Sequence, residues 1–204
     1  QSNVQYKTPT VIGMTLTGAY AHDMGSADVS DKGSAAGAEG TGRGMDVTLN
    51  VNPSFGTEIL SGLNVFLGAH QTENYADGKS INDAYHGTGG FTLDIGPISL
   101  GGAVAGISTG NNRGADDVDY YKNNMFGIAF NVNDDLSLSY GKHESKQQKV
   151  NPNDNEPVTL EVESMQIAYT MGGASIRYAN TDVTNSKYGT SDPEAHGISV
   201  SLAF

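Results

Sequence analysis

The stretch Gly197-Ile198-Ser199-Val200-Ser201-Leu202-Ala203-Phe204 decides the fold of this chain. Its even-numbered positions are all large and apolar, and its odd-numbered positions are glycine, serine or alanine. Successive side chains of a β-strand point to opposite faces, so strict alternation places one face in an apolar environment and the other in a polar one. The stretch therefore predicts a strand with large apolar side chains on one face and small or hydrophilic side chains on the other.

The same alternation recurs along the whole chain, for example over 45–51, 126–132 and 165–171. About eleven such segments can be counted, and we interpret each as a strand. They lie near residues 3–7, 14–22, 44–52, 63–72, 88–95, 98–108, 122–132, 136–147, 159–171, 174–184 and 196–204.

The connections between these segments alternate between short and long. Short turns lie at 96–97, 134–135 and 172–173, where Gly, Pro and Asp favour tight reversal. Long polar connections lie near 24–43, 74–87, 109–121, 148–158 and 185–195. This rhythm predicts an all-β, up-and-down antiparallel sheet, and outer-membrane barrels place short turns in the periplasm and long loops outside.

Composition narrows the function. A formal net charge of −12, with 11 Lys+Arg, argues against nucleic acid as a partner, because phosphate backbones require basic surfaces. Cysteine is absent, and the sequence contains no HExxH, GxSxG or P-loop motif, so we do not expect an enzyme. No apolar run approaches the roughly 18 residues of a transmembrane helix, although that test does not detect transmembrane strands.

Two motifs carry a resemblance to a known family. The segment Val4-Gln5-Tyr6-Lys7-Thr8-Pro9, followed by Gly13-Met14, resembles a mid-barrel hairpin of general bacterial porins. The alternating terminal strand that ends in Phe204 resembles the assembly signal of outer-membrane proteins, and the glycine-rich hairpin strand 172–178 is similar to those of alphaproteobacterial porins. The resemblance implies a transmembrane β-barrel in the outer membrane of a Gram-negative bacterium, assembled as a homotrimer.

The resemblance also exposes a departure, because such porins have sixteen strands and this chain shows about eleven. We interpret residues 1–204 as a single β-barrel domain that lacks the N-terminal strands and the constriction loop, because unpaired sheet edges are costly in lipid. The alternative is a complete smaller barrel of about ten or twelve strands.

Alternation assigns six polar side chains to the lumen of such a barrel. They are Arg177, Lys7, His70, Asp46, Asp94 and Gln166. In the porins that the chain resembles, a basic cluster on the wall opposes acidic groups on the constriction loop. By that resemblance Arg177 is the first candidate for a basic wall residue and Lys7 the second; the alternative is that each is simply solvated.

Loop residues suggest two further sites. Asp116, Asp117 and Asp119 lie close together, and clustered carboxylates suit calcium, although the alternative is an ordinary acidic surface. No other cofactor is expected. The run Lys142, His143, Lys146 and Lys149 could bind lipopolysaccharide phosphates, or could be a solvated face.

These observations predict an outer-membrane porin, a passive diffusion channel for ions and small hydrophilic solutes that contacts the lipid bilayer and lipopolysaccharide. One alternative is a barrel without a channel that acts as an adhesin or anchor. The other is a soluble β-sandwich, which also shows alternating strands.

Overall fold

The computed structural model describes residues 3–22, 40–53, 62–75, 82–110, 114, 117–151 and 156–202. All eleven regular elements of this part of the chain are strands. They are β1 (Asn3–Lys7), β2 (Met14–Ala21), β3 (Gly40–Val51), β4 (Leu63–Tyr75), β5 (Ala84–Ile95), β6 (Ile98–Ser108), β7 (Val118–Asn131), β8 (Leu136–Lys149), β9 (Val158–Met171), β10 (Ala174–Thr184) and β11 (Glu194–Leu202).

The strands form one antiparallel sheet in sequence order, from β1 at one edge to β11 at the other. Each of the nine inner strands pairs with the strand before it and the strand after it, so the up-and-down topology predicted from the alternation of short and long connections is confirmed. Within the described ranges no pairing joins β1 to β11, and a small closed ring is therefore not seen there.

The described part of the sheet has no hydrophobic core. Among the described residues the only buried hydrophobic side chain is that of Ala21, and no large side chain is fully buried. Large apolar side chains are instead exposed, with Val4 at 74% and Ile198 at 75%. A β-sandwich buries one face of each sheet against the other, so the sandwich alternative is wrong for this part of the chain. No described helix is long and apolar enough to cross a membrane.

Two of the short turns depend on glycine. Gly96 and Gly172 have φ of 56° and 59°, a region that costs nothing for glycine but is unfavourable for residues with a Cβ. Both turns come directly after the last residue of a strand, at Ile95 and Met171. These glycines therefore allow the chain to reverse within two residues and fix the register of the hairpins that follow.

Several strands are longer than the alternation predicts, and the extra length lies at the long-loop end. β3 begins at Gly40 instead of residue 44, β5 at Ala84 instead of 88, and β7 at Val118 instead of 122. The added residues include glycines, charged residues and tyrosines and lack the strict alternation of the neighbouring segments. Backbone pairing needs no particular side chain, so the ladder continues where the apolar pattern has ended.

Candidate functional site

The strand register aligns most apolar positions of neighbouring strands on one face of the sheet. Leu16 lies opposite Leu49, and Leu49 opposite Leu67. Further along, Phe130 lies opposite Leu138, which lies opposite Ile167. Because directly opposed residues share a face, the apolar positions of all eleven strands form one surface, which we call the apolar face. The other surface carries small and hydrophilic side chains and is the polar face.

The polar face is built mainly from residues with short side chains. One row of directly paired residues crosses it from β1 to β8: Lys7, Thr17, Thr48, Gly68, Thr88, Ala105, Asn123 and Ser145. Among exposed large hydrophobic residues, Met125 is an exception to the pattern, since it lies on this face. A surface of this kind leaves room for water beside the sheet.

All six predicted lumen residues lie on the polar face, but the structure brings only some of them together. Asp46 and His70 are directly opposed on β3 and β4. Gln166 pairs with Ser139, and Arg177 pairs with Ala168 and Ser199, so the two occupy neighbouring rows of β9 and β10. Their roles as pore-lining residues remain predictions.

Lys7 and Asp94 lie apart from these residues, at the short-turn end. Lys7 is the last residue of β1, the edge strand, and pairs with Thr17. Asp94 accepts a hydrogen bond from the hydroxyl of Ser99 at 2.5 Å, across the turn between β5 and β6. Arg177 lies on β10, nine strands from β1, so the two basic wall candidates do not form one cluster in the sheet.

His70 has a second neighbour that the sequence did not single out. His86 on β5 lies directly opposite it, and the two imidazole rings meet edge to face with their centroids 5.4 Å apart. Nε2 of His70 is 2.6 Å from the hydroxyl of Thr72, which is a buried residue. Asp46, His70 and His86 thus occupy one row across three adjacent strands.

The connection between β10 and β11, residues 185–193, folds over the polar face. The Tyr188 hydroxyl lies 2.6 Å from the hydroxyl of Ser145 on β8, and its ring is 5.5 Å from the ring of Tyr121 on β7. Ser145 and Tyr121 both lie on the polar face, and Ser145 is only 4% exposed. The loop therefore reaches past β9 and covers part of the face. We call residues 185–193 the inward loop.

Hydrogen bonds within the inward loop hold its shape. The Asn185 amide donates to Asp192 Oδ1 at 2.8 Å, and the Ser186 amide donates to the Ser191 carbonyl at 2.7 Å. The Asn185 side chain also donates to the Thr159 carbonyl of β9 at 2.8 Å. Asn185, Lys187 and Tyr188 have φ between 53° and 58°, a region that residues with side chains rarely adopt. Such strained backbone is retained where surrounding contacts determine it, often at functional sites.

Sequence reasoning missed the inward loop, since it placed residues 185–195 among the external polar connections. The loop contains one aromatic residue, Tyr188, in an otherwise polar segment. A lone aromatic side chain in such a segment suggests an anchor on another surface. The pairing with Ser145 could not be deduced, because the two residues are 43 positions apart.

The predicted calcium site gains no further ligands from the structure. Asp117 uses its carboxylate locally, since Oδ2 accepts a hydrogen bond from the Gly114 amide at 2.9 Å. Asp119 lies within β7, and Asp116 lies outside the described residues. In the part of the chain that the structure describes, no group of three acidic, histidine or cysteine side chains is placed to hold a metal ion. Loop calcium stays a prediction.

The predicted basic run near residue 142 is not one surface. Lys142 and Lys146 lie on the apolar-face side of β8, whereas His143 lies on the polar face. Lys142 Nζ is surrounded by carboxylates, at 3.3 Å from Glu144, 2.9 Å from Glu161 and 3.2 Å from Glu163. We call Lys142 and these three glutamates the lysine cluster. On its side of β8 Lys142 is the next residue after Tyr140, so the cluster marks where the apolar face ends on β8 and β9. Binding of lipopolysaccharide stays a prediction.

Comparison with known proteins shows which solved structures share this fold. No family model matches the chain, and no curated protein matches it in sequence. Among solved structures, the chain is similar to an anion-selective porin from Comamonas acidovorans, with a TM-score of 0.73 and 13% identity over 99% of this chain and 59% of the porin. It is also similar to a loop L8 deletion mutant of OmpT, an outer membrane protein of Vibrio cholerae, with a TM-score of 0.60 and 14% identity over 98% of this chain and 62% of that one.

The chain thus spans about three fifths of the length of both solved structures. Both sequence identities are low, so these structural similarities show the fold alone. The absence of enzymatic activity in this chain stays a prediction. Both matched proteins reside in bacterial outer membranes, in agreement with the predicted location. Phe204, the predicted assembly signal, lies outside the described residues. The eleven strands have the fold of the porin-like outer-membrane β-barrels.

Proposed function

We propose that the chain forms part of the wall of a passive diffusion channel for ions and small hydrophilic solutes in the outer membrane of a Gram-negative bacterium. The observation that carries this proposal is the two-faced single sheet. Its apolar face has nothing of the protein to cover it among the described residues, and its polar face carries short side chains. Lipid suits the first face and water the second.

The open edges of β1 and β11 support closure by further strands. An edge strand in hydrocarbon leaves a row of backbone N–H and C=O groups without hydrogen-bond partners. Each unpaired group costs several kcal/mol, so an open sheet is not stable in lipid. We propose that additional strands of the same protein pair with these two edges. A homotrimer and contact with lipopolysaccharide remain expectations from the family resemblance.

The inward loop supplies an aperture for such a channel. Tyr188 anchors it on the polar face through Ser145 and Tyr121, and the exposed Lys187 places a positive charge beside that anchor. A channel sorts solutes at its narrowest point by width and charge. A loop held against the wall narrows the passage more than the short side chains of the wall do. The inward fold does not favour the adhesin alternative, which requires loops that reach outward to a partner.

Planar-bilayer conductance of the full-length protein tests the proposal. We expect stable ohmic steps, and Tyr188→Ala should raise the conductance of each step because the loop loses its ring contact and its hydroxyl partner. Leaving the buried Ser145 hydroxyl unpaired costs roughly 1–3 kcal/mol, enough to free the loop for much of the time. Tyr188→Phe retains the ring and should give a smaller rise. An intact barrel that conducts no ions would overturn the channel, and unchanged conductance in Tyr188→Ala would overturn the aperture.

A further inference from the structure

The strongest unassigned feature of the polar face is the pair of imidazoles on β4 and β5. His70 and His86 are directly opposed in the register, and their ring centroids are 5.4 Å apart. Neither ring contributes to a hydrophobic core, since the described strands form none. The pair lies on the same face as the inward loop, and one residue, Ile107, separates His86 from Tyr121 along the row.

The spacing of the two rings fits shared coordination of one metal ion. Imidazole nitrogens bind Zn²⁺ at about 2.0–2.1 Å. Adding the distance from nitrogen to ring centre, two imidazoles at a tetrahedral angle on one ion have centroids about 5 Å apart. The observed separation is close to that value, so the two rings lie within reach of one ion once both side chains turn a nitrogen towards it.

A third residue orients one of the rings. The hydroxyl of Thr72 lies 2.6 Å from Nε2 of His70, and Thr72 is 8% exposed, so its position is well defined by its surroundings. When Nε2–H donates to that hydroxyl, Nδ1 of His70 keeps its lone pair for a metal. Metal-ligating histidines usually donate their other ring N–H in this manner, which fixes both tautomer and orientation.

The surroundings suit a hydrated cation. Asp46 lies opposite His70 on the other side and adds negative charge to the same row. Gly68 and Thr88 flank the pair towards mid-strand and leave room for water ligands. No described group of three histidine, cysteine or acidic side chains is placed to hold a metal, so an ion bound here would take two nitrogen ligands from the protein and the others from water.

We propose that His70 and His86 form a binding site for a divalent first-row transition-metal ion of the Zn²⁺, Ni²⁺ or Cu²⁺ type on the wall of the channel. Imidazole selects these ions over Mg²⁺ and Ca²⁺, which prefer oxygen ligands. The location of the site in a watery passage rests on the proposed function, whereas binding of the metal does not require conduction. A bound ion adds positive charge to the wall near the inward loop and opposes the passage of other cations.

Calorimetric titration of the folded, detergent-solubilised full-length protein with Zn²⁺ tests the site. We expect one Zn²⁺ per chain, no binding of Mg²⁺ at the same concentrations, and a dissociation constant raised at least roughly tenfold by His70→Asn or His86→Asn. Thr72→Val should weaken binding by about tenfold through the orientation of His70. His143→Asn is the matched control, because His143 lies on the same face and pairs with Asn123 instead of a second histidine.

Equal Zn²⁺ affinity in the wild type, His70→Asn and His86→Asn would overturn the site. Circular dichroism and heat-dependent electrophoretic mobility should show that each variant is folded, so that a lost site is distinguished from a lost barrel. Zn²⁺ should also lower channel conductance in the wild type and not in His86→Asn. Binding without an effect on conductance would keep the metal site and reject its location in the passage, whereas absence of conductance with intact binding would reject only the proposed function.

Discussion

Leu138 and Ser139 are neighbours on β8 and lie on opposite faces of one sheet, yet the two faces obey different rules. The apolar face accepts almost any large aliphatic or aromatic side chain, because its proposed partner is fluid lipid. The polar face is more specific, since hydroxyl and imidazole groups there meet particular partners on other strands, as Ser145 meets Tyr188. Substitutions on the first face should therefore act on stability, and those on the second on transport.

The largest effect is expected from a charge placed within the apolar face. Leu138→Arg should lower the free energy of unfolding in phospholipid vesicles by about 2 kcal/mol, because an arginine on the lipid side of a barrel costs most near the bilayer midplane and less towards the interfaces. Urea titration of the full-length protein, monitored by circular dichroism, measures this loss of stability. Ser139→Arg is the control one residue away, and it should change stability little. Equal losses in both variants would contradict the assignment of faces.

A smaller effect is expected at the lysine cluster, where the apolar face gives way to charges. Lys142→Met leaves Glu144, Glu161 and Glu163 without the ammonium that separates them. The barrel should melt at a lower temperature, and added salt should restore part of the loss, because exposed charges are screened. Among the described residues no carboxylate forms an ion pair with Lys146, which lies on the same side of β8, so Lys146→Met should have less effect. A melting temperature that does not depend on salt would show that the cluster contributes nothing.

The smallest effect is expected from single charges on the polar face. Removing one charge about 8 Å from a passing ion in water changes its energy by about 0.5 kcal/mol, or roughly twofold in permeability. Arg177→Gln should therefore shift the reversal potential in a salt gradient towards cations without a change in stability. Lys146→Gln removes the same charge on the opposite side and should leave selectivity unchanged. A shift of the same size in both variants would show that the channel does not distinguish the faces.

Much of the fold could be predicted because alternation is a local signal. Four consecutive pairs in 197–204 suffice to define a two-faced strand, and repeated segments with alternating connection lengths define the topology. The extension of β7 back to Val118 could not be predicted in this way. Residues such as Asp119 and Tyr120 carry no strict apolar alternation, and backbone pairing continues the strand there.

The candidate site was only partly predictable, because it depends on register and on contacts between distant residues. Alternation placed His70 on the polar face, but it did not show that His86 lies opposite, since a shift of two residues would keep both faces and change every pair. The contact of Tyr188 with Ser145 requires a loop to fold back over β9, and no short sequence pattern encodes that path.

The absence of an interior has a consequence for how the molecule acquires its shape. A water-soluble domain folds around its own apolar side chains. Here the only hydrophobic side chain that the described strands bury is that of Ala21. Folding in water would gain little from removing hydrocarbon from solvent, so most of that gain becomes available only when the strands enter a bilayer. Insertion and folding should thus be one coupled event, and the thickness and fluidity of the host membrane should set its rate.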